Sequence, residues 1–204
     1  MIKQPIILVG GGGHCLASID VIEQTKQFRI IGIIDVPEKL GGEVLNYPII
    51  GCDNDIPALK EDCPNFAITA GQIKSPILRQ KIYRTIKQCN GKLPVIISPY
   101  AYVSQHSQIA EGSMIMHNAI VNAGTTIGKC TIINSNALVE HESKIGDFTH
   151  ISTASTINGQ CEIGSNCFIG SNAVIANNIT IADDCIIAAG ARVYRPIITR
   201  GTYY

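Results

Sequence analysis

The sequence predicts two folds in series: a small α/β domain with a parallel sheet, then a three-sided parallel β-coil. Three observations predict it. From Ala101 to Pro196 the chain divides into sixteen consecutive six-residue blocks without an insertion, and the third residue of every block is Val or Ile. The first residue of each block is Ala, Ser, Thr or Cys, with Ile179 as the exception. Residues 1–97 follow a different grammar, in which β-branched runs alternate with helical spacing. A period of six over this length matches neither the roughly 3.6-residue helical repeat nor the two-residue strand repeat. It matches a solenoid, whose repeats stack side on side.

The elements of the first part follow in order. Pro5–Gly10 is a β-branched run ending in glycines, and Cys15–Gln27 then carries helical spacing at Leu16, Ile19 and Ile22. Residues 29–35 read as a second buried strand and residues 65–70 as a third. Ser75 and Pro76 suit an N-cap and first helical position. Leu78, Ile82 and Ile86 follow at helical spacing, and Gly91 stands where a helix stops. Residues 93–98 are read as the last strand before the repeats. Alternating strands and helices imply a small parallel sheet with helices on its faces. The period changes near Ser98–Pro99, giving domains at residues 1–97 and 98–204.

In the second part, the third-position aliphatics point inward and the small first residues let the chain turn. Three sides make one coil of 18 residues. Coils stack at about 4.8 Å, the spacing of paired strands, so residues 18 apart lie directly above one another.

Composition narrows the function. Charged residues are 16% of the chain and the formal net charge is zero, which argues against a nucleic-acid binder. No run of 18 apolar residues exists, so no membrane insertion is expected. The N-terminus reads as a first strand, not a signal peptide. Eight cysteines form no C-x-x-C pair, so a zinc ribbon or redox motif is unsupported. All eight are expected to be reduced thiols in a cytoplasmic protein. Cys161, Cys167 and Cys185 fill first positions, where they are expected to act as compact apolar fillers.

Several residues carry chemistry. His141 stands between Glu140 and Glu142. A carboxylate beside an imidazole fixes its tautomer and raises its basicity, making a general base, although a solvated histidine is the bland alternative. Gly159 lies 18 residues after His141. Its unobstructed N–H suits an oxyanion donor; a corner glycine required by the backbone is the competing reading. The loop Gly10–His14 follows a strand and opens a helix, where N–H groups can cradle a diphosphate. Cys15 interrupts a full G-x-G-x-x-G there, so a tight strand-to-helix turn competes. Asp35 ends the second strand, the place where an acid reads ribose hydroxyls in dinucleotide folds. No two of His106, His117, His141 and His150 are separated by a multiple of 18, which disfavours a stacked metal site.

These motifs, Gly10–His14, Asp35 and above all residues 138–151 (LVEHESKIGDFTHI), resemble the hexapeptide-repeat acyltransferases. The resemblance is to the group of sialic-acid O-acetyltransferases and bacillosamine-pathway amino-sugar N-acetyltransferases, and it covers essentially the whole chain. It implies a left-handed β-helix, a homotrimer, acetyl-CoA as co-substrate and no metal. It also implies a nucleotide-linked sugar as acceptor. Carried over by motif, His141 is the base, Glu142 orients it, and the Gly159 amide binds the acetyl carbonyl. Gly12, Gly13 and His14 are implied to meet the pyrophosphate and sugar, Asp35 the nucleotide end, and Gly71 and Asn134 the sugar. Asn134, seven residues before His141, is expected on the same stretch of surface; an asparagine ladder through Asn122, Asn134 and Asn158 is the alternative. His150, Ser171 and Ala189 are implied to contact CoA; for His150 a stacking surface histidine is the alternative. Arg192, Arg195 and Arg200 suit either CoA phosphates or plain solvation.

The expected activity is acetyl transfer from acetyl-CoA to a 4-amino group of a nucleotide-linked amino sugar, for surface glycan synthesis. The nearest rival is O-acetylation of a sialic-acid-like sugar. A metal-dependent hydratase and a non-catalytic repeat protein are remoter.

Overall fold

The computed structural model describes residues 2–204. The chain divides into two units. One runs to Gly71 and takes in Ile77–Pro94; the other joins Gln72–Pro76 to Val95–Tyr204.

In the first unit β1 (Gln4–Val9) is an interior strand, and its Ile6, Ile7, Leu8 and Val9 are all buried, as a strand covered on both faces must be. Helix α1 (Gly13–Thr25) follows, then β2 (Phe28–Ile34). Next come β3 (Glu43–Val44), β4 (Tyr47–Gly51), α2 (Ile56–Asp62), β5 (Phe66–Ile68) and α3 (Ile77–Gln88). The sheet order is β3-β4-β2-β1-β5. All pairings are parallel except β3 with β4, so an antiparallel edge hairpin, which the sequence reading missed, makes the sheet mixed.

Two expected core residues face outward. Leu16 is 45% and Leu78 53% exposed. The buried stripe of α1 runs through Cys15, Ile19 and Ile22, and that of α3 through Arg79, Ile82 and Ile86. In each helix only the first residue of the stripe shifts by one, from Leu16 to Cys15 and from Leu78 to Arg79, while Ile19, Ile22, Ile82 and Ile86 are buried as expected. Arg79 is fully buried and donates from one guanidinium nitrogen to the carbonyls of Ile68 and Ala70 at 3.0 and 2.6 Å. It thereby satisfies the end of β5.

Residues 93–98 do not complete this sheet. Strand β6 (Ile96–Ile97) pairs with Met114–Ile115 in the second unit. Block 95–100 carries Ile97 in third place, so the period starts one block before Ala101. From there short strands build three all-parallel sheets. The first face holds Tyr102–Val103, Ile120–Val121, Leu138–Val139, Thr156–Ile157, Val174–Ile175 and Arg192–Val193. The second runs from Gln108–Ile109 to Thr180–Ile181, and the third from β6 through His150–Ile151 to Gly201–Tyr203. Partners are 18 residues apart, as in Leu138 with Thr156. Third-position residues from Ile115 to Val193 are buried in one continuous core.

The corners explain the sixth position of each block. Fourteen successive sixth-position residues, from Gly112 to Gly190, have positive φ. Asn and Gly tolerate that region best, and eight of the fourteen are Asn or Gly. The first position is less apolar than expected. Thr131 and Thr149 hydroxyls donate to the Gly146 and Gly164 carbonyls at 3.0 and 2.8 Å, and the Cys167 thiol continues the column to Ala182 O at 3.2 Å. Cys161, Cys167 and Cys185 are therefore weak internal donors as well as fillers. Burial pushes the Cys167 thiol up to about 12. All eight cysteines are free.

Ala154 occupies one of the left-handed corners at φ 55°. The left-handed conformation costs a side-chain-bearing residue ~1–2 kcal/mol, partly offset by the greater unfolded-state freedom of glycine. Ala154→Gly should therefore stabilise the coil by about 0.5–1 kcal/mol, visible as a higher Tm. An unchanged or lower Tm would contradict the corner argument.

Candidate active site

Strand Leu138–Val139 on the first face delivers the turn that carries Glu140, His141 and Glu142. His141 Nδ1 lies 3.2 Å from Glu142 Oε2, and the two side chains are 54% and 60% exposed. Gln160, one coil on from Glu142, donates to the same carboxylate oxygen at 3.1 Å. Glu140 is otherwise engaged: its Oε2 accepts from Asn122 at 2.9 Å and from the His141 N–H at 3.2 Å. Of the two flanking acids, then, Glu142 faces the ring. With Nδ1–H donating to this carboxylate, Nε2 presents a lone pair.

Gly159 sits directly over that nitrogen. A Cβ at residue 159 would fall 2.7 Å from both Cε1 and Nε2 of His141. Its φ is not among the positive ones, so backbone conformation does not demand glycine here; the imidazole does. No hydrogen bond from the Gly159 N–H forms among the described residues.

His150 and Asn134 lie elsewhere. His150 points outward from the third face but is only 7% exposed, because Gln72 covers it. Its Nδ1–H donates to the Gln72 carbonyl at 2.6 Å, and Nε2 accepts from Asn134 Nδ2 at 3.1 Å. Gln72 Nε2 in turn donates to the carbonyls of Phe148 and Cys167 at 2.6 and 3.3 Å. The Phe168 ring meets His150 edge-on at 5.2 Å. His150 is thus neither a surface histidine nor open to a ligand through either ring nitrogen. It clasps the segment Gln72–Pro76 to the coil.

The sequence reading put Asn134 and His141 on one stretch of surface, and the structure corrects this. Asn134 lies in the turn from the third face to the first, whereas His141 lies in the turn from the first to the second. The strand between them turns the chain around a corner. For the same reason Asn122, Asn134 and Asn158 form no common ladder: Asn122 and Asn158 share the His141 edge, and Asn134 does not. Ser171 and Ala189 stand on the Asn134 edge. The Ser171 hydroxyl meets Ser152 Oγ at 3.0 Å, the Gly190 N–H donates to Ser171 O, and Ala189 is exposed.

In the first unit the glycine loop opens α1. A Cβ at Gly10 would strike Ala70 N at 2.6 Å, and the Gly10 φ is +107°, so only glycine fits. Gly12 and Gly13 border open space instead, which leaves the first N–H groups of the helix approachable. His14 packs its Cβ toward Gly71. Asp35 Oδ2 accepts from the Gly11 N–H at 2.8 Å and from Lys39 Nζ at 2.9 Å, and Oδ1 accepts from the Val36 N–H at 2.7 Å. Burial would raise this carboxyl, but these hydrogen bonds from Val36, Lys39 and Gly11 outweigh it and hold it below the ordinary value. Beside the loop a cleft of about 310 Å³ opens at the C-terminal ends of β1, β2 and β4, where ligands of open α/β sheets bind.

Sequence reasoning missed Gln160, Asn122 and Gln72. The spacing of 18 residues would have found the first two, since Gln160 follows Glu142 and Asn122 precedes Glu140 by that interval. No sequence signal marked Gln72. Among the described residues no group of three His, Cys, Asp or Glu side chains is arranged to hold a metal, and no helix is long and apolar enough to cross a membrane.

Residues 5–86 match the PglD N-terminal domain, and residues 142–177 and 160–195 match the bacterial transferase hexapeptide (six repeats). The chain thus joins a PglD N-terminal domain to bacterial transferase hexapeptide repeats, the arrangement of the hexapeptide-repeat acyltransferases that it resembles. Its structure is similar to PerB from Caulobacter crescentus, solved in complex with CoA and GDP-perosamine. There the identity is 29% over 99% of this chain and 94% of that one, with a TM-score of 0.90. It is also similar to the acetyltransferase domain of PglB from Neisseria gonorrhoeae in complex with acetyl coenzyme A. That pair is 26% identical over 98% and 96% of the two chains, with a TM-score of 0.91. WeeI from Acinetobacter baumannii, 21% identical with a TM-score of 0.86, shares the fold. No curated protein sequence matches the chain.

A methyl group at residue 159 must displace the imidazole, which is half exposed and free to swing. Gly159→Ala should fold normally yet shift the His141 ring resonances in an NMR spectrum and weaken the contact with Glu142. Unchanged His141 resonances would show that the two groups are not in contact.

Proposed function

We propose that this acyltransferase moves the acetyl group of acetyl-CoA onto the 4-amino group of a nucleotide-linked amino sugar. The observation that carries the reading is the stack of Glu142, His141 and Gly159, one carboxylate, one oriented imidazole and one uncommitted amide on neighbouring coils. The relatives point the same way. One of them is a perosamine N-acetyltransferase solved with CoA and GDP-perosamine, and another holds acetyl coenzyme A.

In this mechanism the sugar amine attacks the thioester carbonyl carbon. His141 Nε2 takes the proton that the nitrogen must lose, and Glu142 stabilises the imidazolium so formed. The Gly159 N–H donates to the tetrahedral oxyanion. When the adduct collapses the C–S bond breaks, and the imidazolium returns its proton to the departing thiolate. Residues 1–97 bind the nucleotide sugar, with Gly12, Gly13 and His14 around the pyrophosphate and sugar, Gly71 beside the sugar and Asp35 at the ribose. Residues 98–204 carry out the transfer. Asp35 already orders the loop through the Gly11 N–H, so its contribution to ligand binding is partly to hold that loop open.

The distribution of these groups supports a homotrimer. His141 and Gly159 line one edge of the first face, while Asn134, Ser171 and Ala189 line the other. One copy cannot bring both edges to the same acetyl group. Three copies packed through their first faces can, each lending its His141 edge to the Asn134 edge of a neighbour. The outward row of that face is Tyr102, Ile120, Leu138, Thr156 and Val174, with exposed Arg192 at its end. It is apolar enough to bury, with Tyr102 59% and Ile120 39% exposed in the single chain, whereas the second face presents Gln108, Thr126, Lys144, Glu162 and Thr180. His150 then acts on CoA indirectly, by fixing the Gln72 segment and Asn134. The enzyme works in the cytoplasm, where both acetyl-CoA and nucleotide sugars are made.

Two outcomes test this. His141→Ala should lower kcat by roughly 10²–10⁴-fold with GDP-, UDP- and dTDP-linked 4-amino sugars as acceptors and leave Tm unchanged; near-normal turnover removes the base assignment. Preferred acetylation of a sialic-acid hydroxyl in the same panel would replace the N-acetyl reading. Separately, Ile120→Asp should convert a trimer into monomers by sedimentation velocity and abolish turnover. A monomeric wild-type protein with full activity would refute the shared site.

A further inference from the structure

The cleft in the first unit is lined by an ion pair that the acetyl-transfer chemistry does not use. Asp53 begins the turn after β4, Lys81 stands on α3, and both line the cleft. Lys81 Nζ is 3.1 Å from Asp53 Oδ2, with side chains 66% and 33% exposed. An ion pair this open adds little to stability. It nevertheless sets a donor and an acceptor side by side in the cleft. Across the sheet the glycine loop follows β1, Asp35 follows the neighbouring β2, and Asp53 follows β4 beyond it, a succession that matches the order diphosphate, ribose, base in a nucleotide. Apolar Val36, Leu78 and Ile82 line the same space and suit the faces of a planar ring.

We infer that Asp53 and Lys81 select guanine as the base of the nucleotide sugar; this rests on the nucleotide-sugar reading above. The Watson–Crick edge of guanine offers one acceptor, O6, beside two donors, N1–H and N2–H2. A carboxylate has two oxygens and about four lone-pair sites, so Asp53 can keep Lys81 and still accept both guanine donors. Lys81 has three N–H groups, one of which reaches O6 while another stays on Asp53. Uracil and thymine present a single N–H flanked by two carbonyls, so the second carboxylate oxygen faces an acceptor and is repelled. Adenine offers one donor and one acceptor, and leaves the second carboxylate oxygen unused. The other polar groups in the cleft do not discriminate. The Asp35 oxygens serve Gly11, Val36 and Lys39, the Cys52 thiol bonds Asp55, and the amide of Asn54 suits any base edge.

The test is calorimetric titration of the full-length protein with GDP, IDP, UDP and ADP. A bidentate base contact discriminates by roughly 5–150-fold, so GDP should bind that much tighter than UDP and tighter than ADP. IDP, which lacks the N2 amino group, should fall between GDP and UDP. Asp53→Asn, which turns one acceptor into a donor, and Lys81→Ala should each erase most of the GDP preference while leaving CoA affinity and Tm as in the wild type. UDP or ADP binding as tightly as GDP would overturn the base assignment alone, as would a GDP preference that survives both substitutions. Normal CoA binding with no affinity for any of the four nucleotides would instead bring down the nucleotide-sugar reading, and this inference with it.

Discussion

The backbone ladder between successive coils is the constraint on which the rest depends. Each coil hands its amides to the next, as in Glu140 N–H to Ile157 O at 2.9 Å. That ladder locks residues 18 apart into vertical contact. Side chains then inherit a register they do not have to pay for. Glu142 meets Gln160, Asn122 meets Glu140, and Lys144 meets Glu162 at 2.7 Å. In the last pair the hydrogen bond and charge of Glu162 raise the Lys144 ammonium. A catalytic group placed on such a ladder is positioned by strands rather than by a loop. That is how a residue as small as Gly159 can be set against one ring nitrogen.

Much of this was legible in the sequence, because the coil is a one-dimensional object. The spacing alone placed Gly159 over His141 and separated the third-position core from the outward residues. What the period could not show is anything that comes from outside the column. His150 reads as exposed from its second-position slot, and it is buried only because Gln72, 78 residues earlier, lies across it. The error over Asn134 has a related cause. Seven residues along a straight strand stay on one surface, but seven residues along a three-sided coil pass a corner. In the first unit, Leu16 and Leu78 misled because helical spacing fixes a stripe only to within one residue, and the neighbouring sheet decides which stripe is buried. The β3–β4 hairpin was silent because strands so short leave no periodic signal.

The placement of candidate groups on two edges of the first face constrains the quaternary structure more tightly than composition does. An apolar outward row by itself says only that the face is covered. With an oriented imidazole on one side of the row and a small-residue column ending at Ala189 on the other, covering the face would, under the proposed trimer, also complete a site. Oligomerisation and catalysis would then share one cause. The second face is polar and carries the exposed Lys144–Glu162 pair.

The left-handed corners add an independent argument about where function sits. Six of the fourteen sixth-position residues are neither Asn nor Gly: Cys130, Glu142, Phe148, Ala154, Gln160 and Asp184. Each bears a side chain in a conformation that disfavours one, and such departures concentrate at working sites. Glu142 and Gln160 are consecutive members of one column and bond each other around His141. Asparagine at 142 would relax the backbone, but its shorter amide would lack the charge that steadies an imidazolium. Phe148 gives its carbonyl to Gln72, in the clasp that holds His150. Three of the six strained corners therefore belong to the two histidine arrangements, and nothing in the structure explains Cys130, Ala154 or Asp184. The strain at Glu142 is the most telling of these, because it is retained where a less costly residue was available and where its carboxylate meets both the His141 ring and Gln160.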